Sequence, residues 1–306
     1  MKTLSPIICI LGPTNSGKTD LSLRLFDEIS ADLISVDSVQ IYKHADIGSN
    51  KISKELQNKY PHELIDIIEP NEVYSVGEFL KDLKRAIDKS VQSNKVPVLV
   101  GGSMMYFFSY LVGFDDLPKS DPDTRRKILQ DIDIKGKEVA YKRLKTKDPE
   151  AAKNIHPNDT QRLVRALEVL EISNKPMSSF FKRKENSNSN SNVFPIVIDK
   201  GKGSIFDEDL KNRVENMLRK GFIDEVEEII KIYKSNKLPL LNSAGYKEVS
   251  MYLNNKIKKD ALIEKIFFAH KKLAKHQRTW IKKIPNLRAF QSVDTAKNEI
   301  IEYLSY

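Results

Sequence analysis

Gly12-Pro13-Thr14-Asn15-Ser16-Gly17-Lys18-Thr19 follows the apolar run Ile7–Leu11 and opens a helical pattern over 18–29. Glycines let such a loop curl until several backbone N–H groups converge on a polyanion, and the helix behind it adds its positive end. Lys18 supplies a mobile charge for the outer phosphates, and the Thr19 hydroxyl is placed to ligate Mg2+. Strand, loop and helix in that order predict a site for a di- or triphosphate. They leave open whether the phosphate is an energy source, a phosphoryl donor or a leaving group.

Working outward, strand-like runs at 33–36 and 96–100 alternate with helical stretches, which is the pattern of a parallel α/β sheet. Val76, Phe79, Leu80, Leu83, Ile87 and Val91 keep helical spacing behind a Ser75 cap. Gly101-Gly102 ends the 96–100 strand at the edge of the sheet where ligands bind. From 121 to 184 the pattern is helical only: Asp121-Pro122 as cap and first turn, a second helix over 137–146, a third over 158–173. The Asn/Ser run 186–191 reads as a solvated linker. Strand Val193–Ile198 resumes the α/β pattern. The remainder reads as helical, with Asp207 capping a helix that ends near Gly221, then Phe222–Tyr233 and a long helix over 259–282. The expected fold is a P-loop, doubly wound parallel-sheet core over 1–114 and 193–306, with an all-helical domain inserted at 115–192.

The chain has 306 residues, 51 Lys and Arg against 42 Asp and Glu, and a formal charge of +9. General lysine-richness and a polyanionic macromolecular partner both account for that balance. The single cysteine, Cys9, lies inside the first apolar strand; it forms no internal disulfide and reads as a small core residue of a cytosolic protein. Metal sites built on cysteine are excluded. No segment has the length and apolarity of a membrane span, and the N-terminus lacks a signal-peptide pattern. Nothing suggests more than a monomer.

A carboxylate suited to chemistry follows the second strand, in Asp37-Ser38-Val39-Gln40-Ile41-Tyr42. Adjacent strand ends place Asp37 near the phosphate loop, where it can bind Mg2+ or accept a proton from a nucleophile. Ser38 and Gln40 suit recognition of a base edge. In the long C-terminal helix, Leu262, Ile266, Ala269, Leu273 and Trp280 form one stripe; Lys271, Lys275, Arg278 and Lys282 fall opposite. That basic row reads as a solvated face or as a row of phosphate contacts. Over 158–173, Leu163, Leu167 and Leu170 form a buried stripe, with Gln161 and Arg165 outward and Arg162 at the flank. Arg213 lies beside the stripe of Leu210, Val214 and Met217, where it can snorkel or reach a ligand across a cleft.

Together these residues resemble the tRNA dimethylallyltransferase family. The likeness runs from Gly12 to about Lys282. It rests on the phosphate loop, Asp37-Ser-x-Gln-x-Tyr42, Asp46-Ile47-Gly48, Gly101-Gly102-Ser103-Met104-x-Tyr106, and Asp121-Pro122 with Arg125. His156-Pro157-Asn158-Asp159-x-Gln161-Arg162-x-x-Arg165-Ala166-Leu167-Glu168, Gly245-Tyr246 and Ala274-Lys275-x-Gln277-x-Thr279-Trp280 complete it. The resemblance implies that the diphosphate is a leaving group. Dimethylallyl diphosphate would sit in the loop formed by Gly12, Pro13, Thr14, Asn15, Ser16, Gly17, Lys18 and Thr19, with Arg213 and Mg2+ at Thr19. Asp37 would be the general base on adenine N6, and Ser38, Val39, Gln40 and Ser103 would line the extruded base. Arg125, Gln161, Arg162, Leu163, Val164 and Arg165 would grip the anticodon stem-loop of tRNA, with Lys271, Lys275 and Arg278 adding phosphate contacts.

The chain departs from the family pattern at Lys271 and His276, where arginine forks are usual, and at Ser103, where the hydroxyl is kept. It has no zinc-finger extension. Three other readings compete. A small-molecule or nucleoside kinase using ATP would leave the basic faces without a role. An enzyme prenylating free adenine nucleotides would have no use for the insertion. An RNA-binding module with a vestigial loop would not need intact Lys18, Thr19 and Asp37.

Overall fold

β1 (Ile7–Leu11) is buried along its whole length because both of its faces are covered. Side chains alternate across a strand, so Ile7, Cys9 and Leu11 face one layer of helices while Ile8 and Ile10 face another. A computed structural model of the chain describes residues 5–113, 115, 117–181 and 192–305. After β1 come α1 (Lys18–Glu28), β2 (Ala31–Ser35), α2 (Lys54–Lys59), β3 (His62–Glu63), α3 (Val76–Gln92), β4 (Val96–Gly101) and α4 (Met104–Leu111). Four helices follow: α5 (Pro122–Lys135), α6 (Lys137–Lys147), α7 (Pro149–Asn154) and α8 (Thr160–Ser173). The chain closes with β5 (Val193–Ile198), α9 (Ser204–Arg219), α10 (Phe222–Tyr233), α11 (Tyr246–Leu253), α12 (Lys259–Ile281), β6 (Arg288–Phe290) and α13 (Val293–Ser305).

The six strands are parallel, in the order β3-β2-β4-β1-β5-β6. Phe79 and Leu83 of α3 and Phe107 of α4 pack on one face of the sheet. Leu21 and Leu25 of α1 and Ala296 and Ile300 of α13 pack on the other. This is the P-loop, doubly wound α/β core expected from the sequence, with a helical insertion. α3 begins as its sequence predicts: Ser75 and Glu78 form a reciprocal capping box. The chain divides into two compact units, Met1–Val112 with Ser189–Tyr306, and Gly113–Asn188. The second has its own core of Ile128, Leu144, Ala151, Ala152, Leu163, Val164 and Leu167.

Several expectations are corrected. The C-terminal region is not all helical, because β6 adds a parallel edge strand beside β5. Asp207 does not cap α9: the cap is Gly203, and Asp207 sits in the first turn, where it pairs with Lys271. Helix 137–146 is followed by the separate α7, started by Asp148, whose carboxylate accepts the Ala151 N–H. The expected linker 186–191 lies outside the described residues.

A second core inside the first unit joins α9, α10, α11 and α12. It also anchors the Asp46-Ile47-Gly48 segment that borders the cleft. The Glu225 carboxylate of α10 accepts the N–H groups of Asp46, Ile47 and Gly48 and the Tyr246 hydroxyl. A Cβ at Gly48 would run into the rings of Phe222 and Tyr246, so only glycine lets the segment lie this close.

Candidate active site

The phosphate loop leaves β1 and turns into α1 at Gly17, whose φ of 97° is left-handed and suits glycine. No side chain caps α1, so its first amides are open toward the cleft. Lys18 Nζ folds back on the loop, donating to the Pro13 carbonyl at 2.6 Å and the Ser16 hydroxyl at 3.4 Å. Thr19 is exposed at the same helix start and lines the cleft. One loop amide is already used: Thr14 N–H donates to Gln277 Oε1 of α12 at 2.8 Å. Gln277 Nε2 in turn donates to the Gly102 carbonyl at 2.9 Å. A single buried amide thus ties the phosphate loop to the end of β4.

Asp37 reaches this loop by a different route from the one the sequence suggested. β2 and β1 are not adjacent, because β4 lies between them. The Gly101-Gly102 pair makes the crossing possible. A Cβ at Gly101 would strike the backbone of Val36, and one at Gly102 would come within 2.6 Å of Gln277 Nε2 and 3.9 Å of Asp37 Oδ2. Asp37 Oδ1 accepts the N–H groups of Val39 (2.8 Å) and Gln40 (3.3 Å), which fixes the carboxylate at the head of its turn. Burial raises its pKa above the ordinary aspartate value; the two N–H groups, Lys18 and Arg213 pull the other way. A carboxylate with a raised pKa is a stronger proton acceptor than one in water.

The neighbouring hydroxyls and amide are locked to one another. Ser38 N–H donates to Ser103 Oγ at 2.8 Å, and the Ser103 hydroxyl donates to Ser38 Oγ at 3.0 Å. Gln40 Oε1 accepts from Ser35 Oγ at 3.3 Å and Gln40 Nε2 donates to the Ser49 carbonyl at 3.5 Å. With Val39 and the loop, these residues line a cleft of about 420 Å³. Arg213 of α9 enters the same cleft with its Nε buried and unpartnered. Burial and Arg213 push the Lys18 amine down to about 7, against the support of Asp37 and Asp199.

The basic face of α12 needs revision. Its buried stripe is Leu262, Ile266, His270, Ala274 and Gln277, whereas Leu273 is exposed and Ala269 and Trp280 are partly so. Arg278 is not a free cation. It is 11% exposed, grips both Asp199 oxygens at 2.8 Å and also donates to the Gly201 carbonyl. Lys271 pairs with Asp207 at 2.6 Å, leaving Lys275 and Lys282 outward.

In the helical unit the outward and inward roles also change. Gln161 and Arg162 are exposed. Arg165, expected outward, turns in to the buried Glu168 carboxylate (2.9 Å) and the Pro118 carbonyl (2.5 Å). Arg125 leans on Glu168 at 3.7 Å. Glu168 also accepts from the Ser120 hydroxyl and the Asp121 N–H, so these arginines help fix the start of α5. Leu163 and Val164 are buried in the unit's core and offer no side chain to a partner. Sequence reading missed Gln277 and His270 as site residues, because a helical pattern assigns polar residues to the outside.

Fold and cleft define a P-loop α/β protein in which a half-buried carboxylate shares the cleft of the phosphate loop. A family model described as IPP transferase matches residues 40–284. The chain is 37% identical to tRNA dimethylallyltransferase 2 of Hahella chejuensis, over 96% of this chain and 93% of that one. It is 35% identical to the tRNA dimethylallyltransferase of Natranaerobius thermophilus, over 97% and 90%. Among solved structures, the tRNA isopentenylpyrophosphate transferase of Bacillus halodurans matches with a TM-score of 0.69 at 28% identity, over 99% and 96%. A eukaryotic dimethylallyltransferase acting on tRNA matches with 0.79 at 25%, over 95% and 75%. The chain belongs to the IPP transferase family, as the resemblance in its motifs implied.

Proposed function

We propose that the protein transfers the dimethylallyl group of dimethylallyl diphosphate to N6 of a tRNA adenine next to the anticodon, releasing pyrophosphate. The observation that carries this reading is Asp37: a half-buried carboxylate held by two backbone N–H groups in the cleft of the phosphate loop. An exocyclic amine is a poor nucleophile because its lone pair is delocalised into the ring. As the N6–C1 bond forms, Asp37 takes the N6 proton and the C1–O bond breaks, its electron pair leaving with pyrophosphate. The loop amides, Lys18 and Arg213 are fixed donors for the charge that builds on the leaving group. Ser38, Val39, Gln40 and Ser103 would receive the base, which must leave its stack to reach Asp37. Single-stranded loops are where RNA sequence is usually read, and exposed Gln161, Arg162, Lys275 and Lys282 are available for such contacts.

The hydroxyl of Thr19 is a hard-oxygen donor in the cleft. This fits Mg2+, which commonly takes one or two protein ligands beside substrate phosphates. Bound there by Thr19, it would neutralise diphosphate charge.

The kinase alternative finds no support among the relatives. The two are separated by incubating labelled dimethylallyl diphosphate or ATP with and without total tRNA. Label from the diphosphate is expected in RNA; ADP formation without RNA would overturn the proposal. A further consequence concerns protons. With Lys18 at about 7 in the free protein, a bound diphosphate raises that pKa. Binding therefore takes up a proton above pH 7, and pyrophosphate affinity should fall by up to about tenfold per pH unit there. Calorimetry in buffers of different ionisation enthalpy checks this, after subtracting pyrophosphate's own ionisation. Heats independent of the buffer would contradict it.

A further inference from the structure

We infer that His270 is a direct ligand of the diphosphate, donating a ring N–H to a phosphate oxygen that Arg213 also contacts. The inference rests on the reading of the cleft as a diphosphate site. His270 is 4% exposed, and neither ring nitrogen has a hydrogen-bond partner. Among the described residues, the buried side-chain polar atoms without partners are these two nitrogens and Arg213 Nε. All three belong to residues lining one cleft, the one built on the phosphate loop. Buried polar groups are normally bonded, so orphans gathered at one place point to a missing ligand atom.

The helix itself marks the spot. Leu262 and Ile266 precede His270 on the same stripe of α12 and are buried in an apolar core. The stripe turns polar where it meets the cleft, at His270 and again at Gln277, seven residues or about 10 Å further along. An apolar residue would continue the packing at 270; an imidazole there leaves two nitrogens unmet. The ring also lies against the Gly245 backbone, where an added Cβ would sit 3.0 Å from Nε2.

The chemistry of the neighbours selects the ligand. Arg213 offers donors only. Burial and Arg213 push the His270 pKa down to about 3, so the imidazole is neutral and carries one N–H donor. Arg213 acts on both Lys18 and His270, so these donors share one part of the cleft and call for an acceptor, and a phosphate oxygen is the acceptor this cleft attracts. A neutral donor adds a hydrogen bond without adding repulsion among Lys18, Arg213 and the helix end.

The test is calorimetric titration of inorganic pyrophosphate, in magnesium-containing buffer, into the full chain and its variants H270F and H270Q. H270F removes the donor and keeps the bulk; about tenfold weaker pyrophosphate binding is expected, with tRNA affinity unchanged. H270Q restores an N–H and should recover most of the loss. If H270F does not fold, H270L replaces it with the same expected result. Pyrophosphate affinity equal to wild type in the apolar variant would overturn the inference, and so would an equal loss of pyrophosphate and tRNA affinity. A wild-type protein that binds no pyrophosphate would instead remove the diphosphate reading itself, and this inference with it.

Discussion

Asp37→Asn is expected to lower turnover by about 10²- to 10⁴-fold while tRNA affinity stays within a few-fold. Asparagine keeps an oxygen for the Val39 and Gln40 N–H groups, so the turn survives and only the proton acceptor is lost. The sign of the pH dependence follows from the same group. Asp37 accepts a proton only when ionised, and burial raises its pKa. In the wild type the rate should therefore fall as pH drops through a value above that of an ordinary aspartate. The residual rate of the variant should lack that limb. Steady-state rates over pH together with filter-binding of tRNA separate the cases; loss of turnover and RNA affinity together would make Asp37 a structural residue.

Gln277→Leu is the second large effect. Leucine is close in volume, but it leaves the Thr14 N–H and the Gly102 carbonyl without the partner that joins them. Each group stripped of its hydrogen bond costs about 1–3 kcal/mol, so a stability loss of roughly 2–6 kcal/mol is expected. Activity should fall beyond what stability explains, because the phosphate loop and the Gly101-Gly102 passage for Asp37 lose their common tie. Urea unfolding and turnover well below the melting temperature measure the two effects separately. A variant with wild-type stability and rate would show that Gln277 only fills space.

How much of this was legible in the sequence varies from residue to residue. Short-range features were readable. β1, β5 and α10 lie where the pattern places them, since an apolar run or a 3.6-residue period is fixed by neighbours along the chain. The phosphate loop was readable for the same reason, as its geometry needs only its own residues. What depended on distant partners was not. Gly101-Gly102 read as the end of a strand, yet its meaning comes from Val36 and Asp37 on β2 and Gln277 on α12. Arg278 read as one more outward cation on a basic face, and only the fold brings Asp199 to it. Arg165 likewise turns inward to the Pro118 carbonyl, 47 residues earlier in the chain, as well as to the buried Glu168. Buried Gln277 and His270 defeat any reading that sends polar residues to the surface.

The central claim is that pyrophosphate departs from carbon rather than phosphorus. It is tested most directly with dimethylallyl diphosphate carrying ¹⁸O in the bridging position between C1 and phosphorus. Incubated with tRNA and the protein, the label is expected wholly in the released pyrophosphate, with a dimethylallyl group free of ¹⁸O gained by the RNA. Label retained on the five-carbon product, or phosphate appearing on the RNA, would contradict the account.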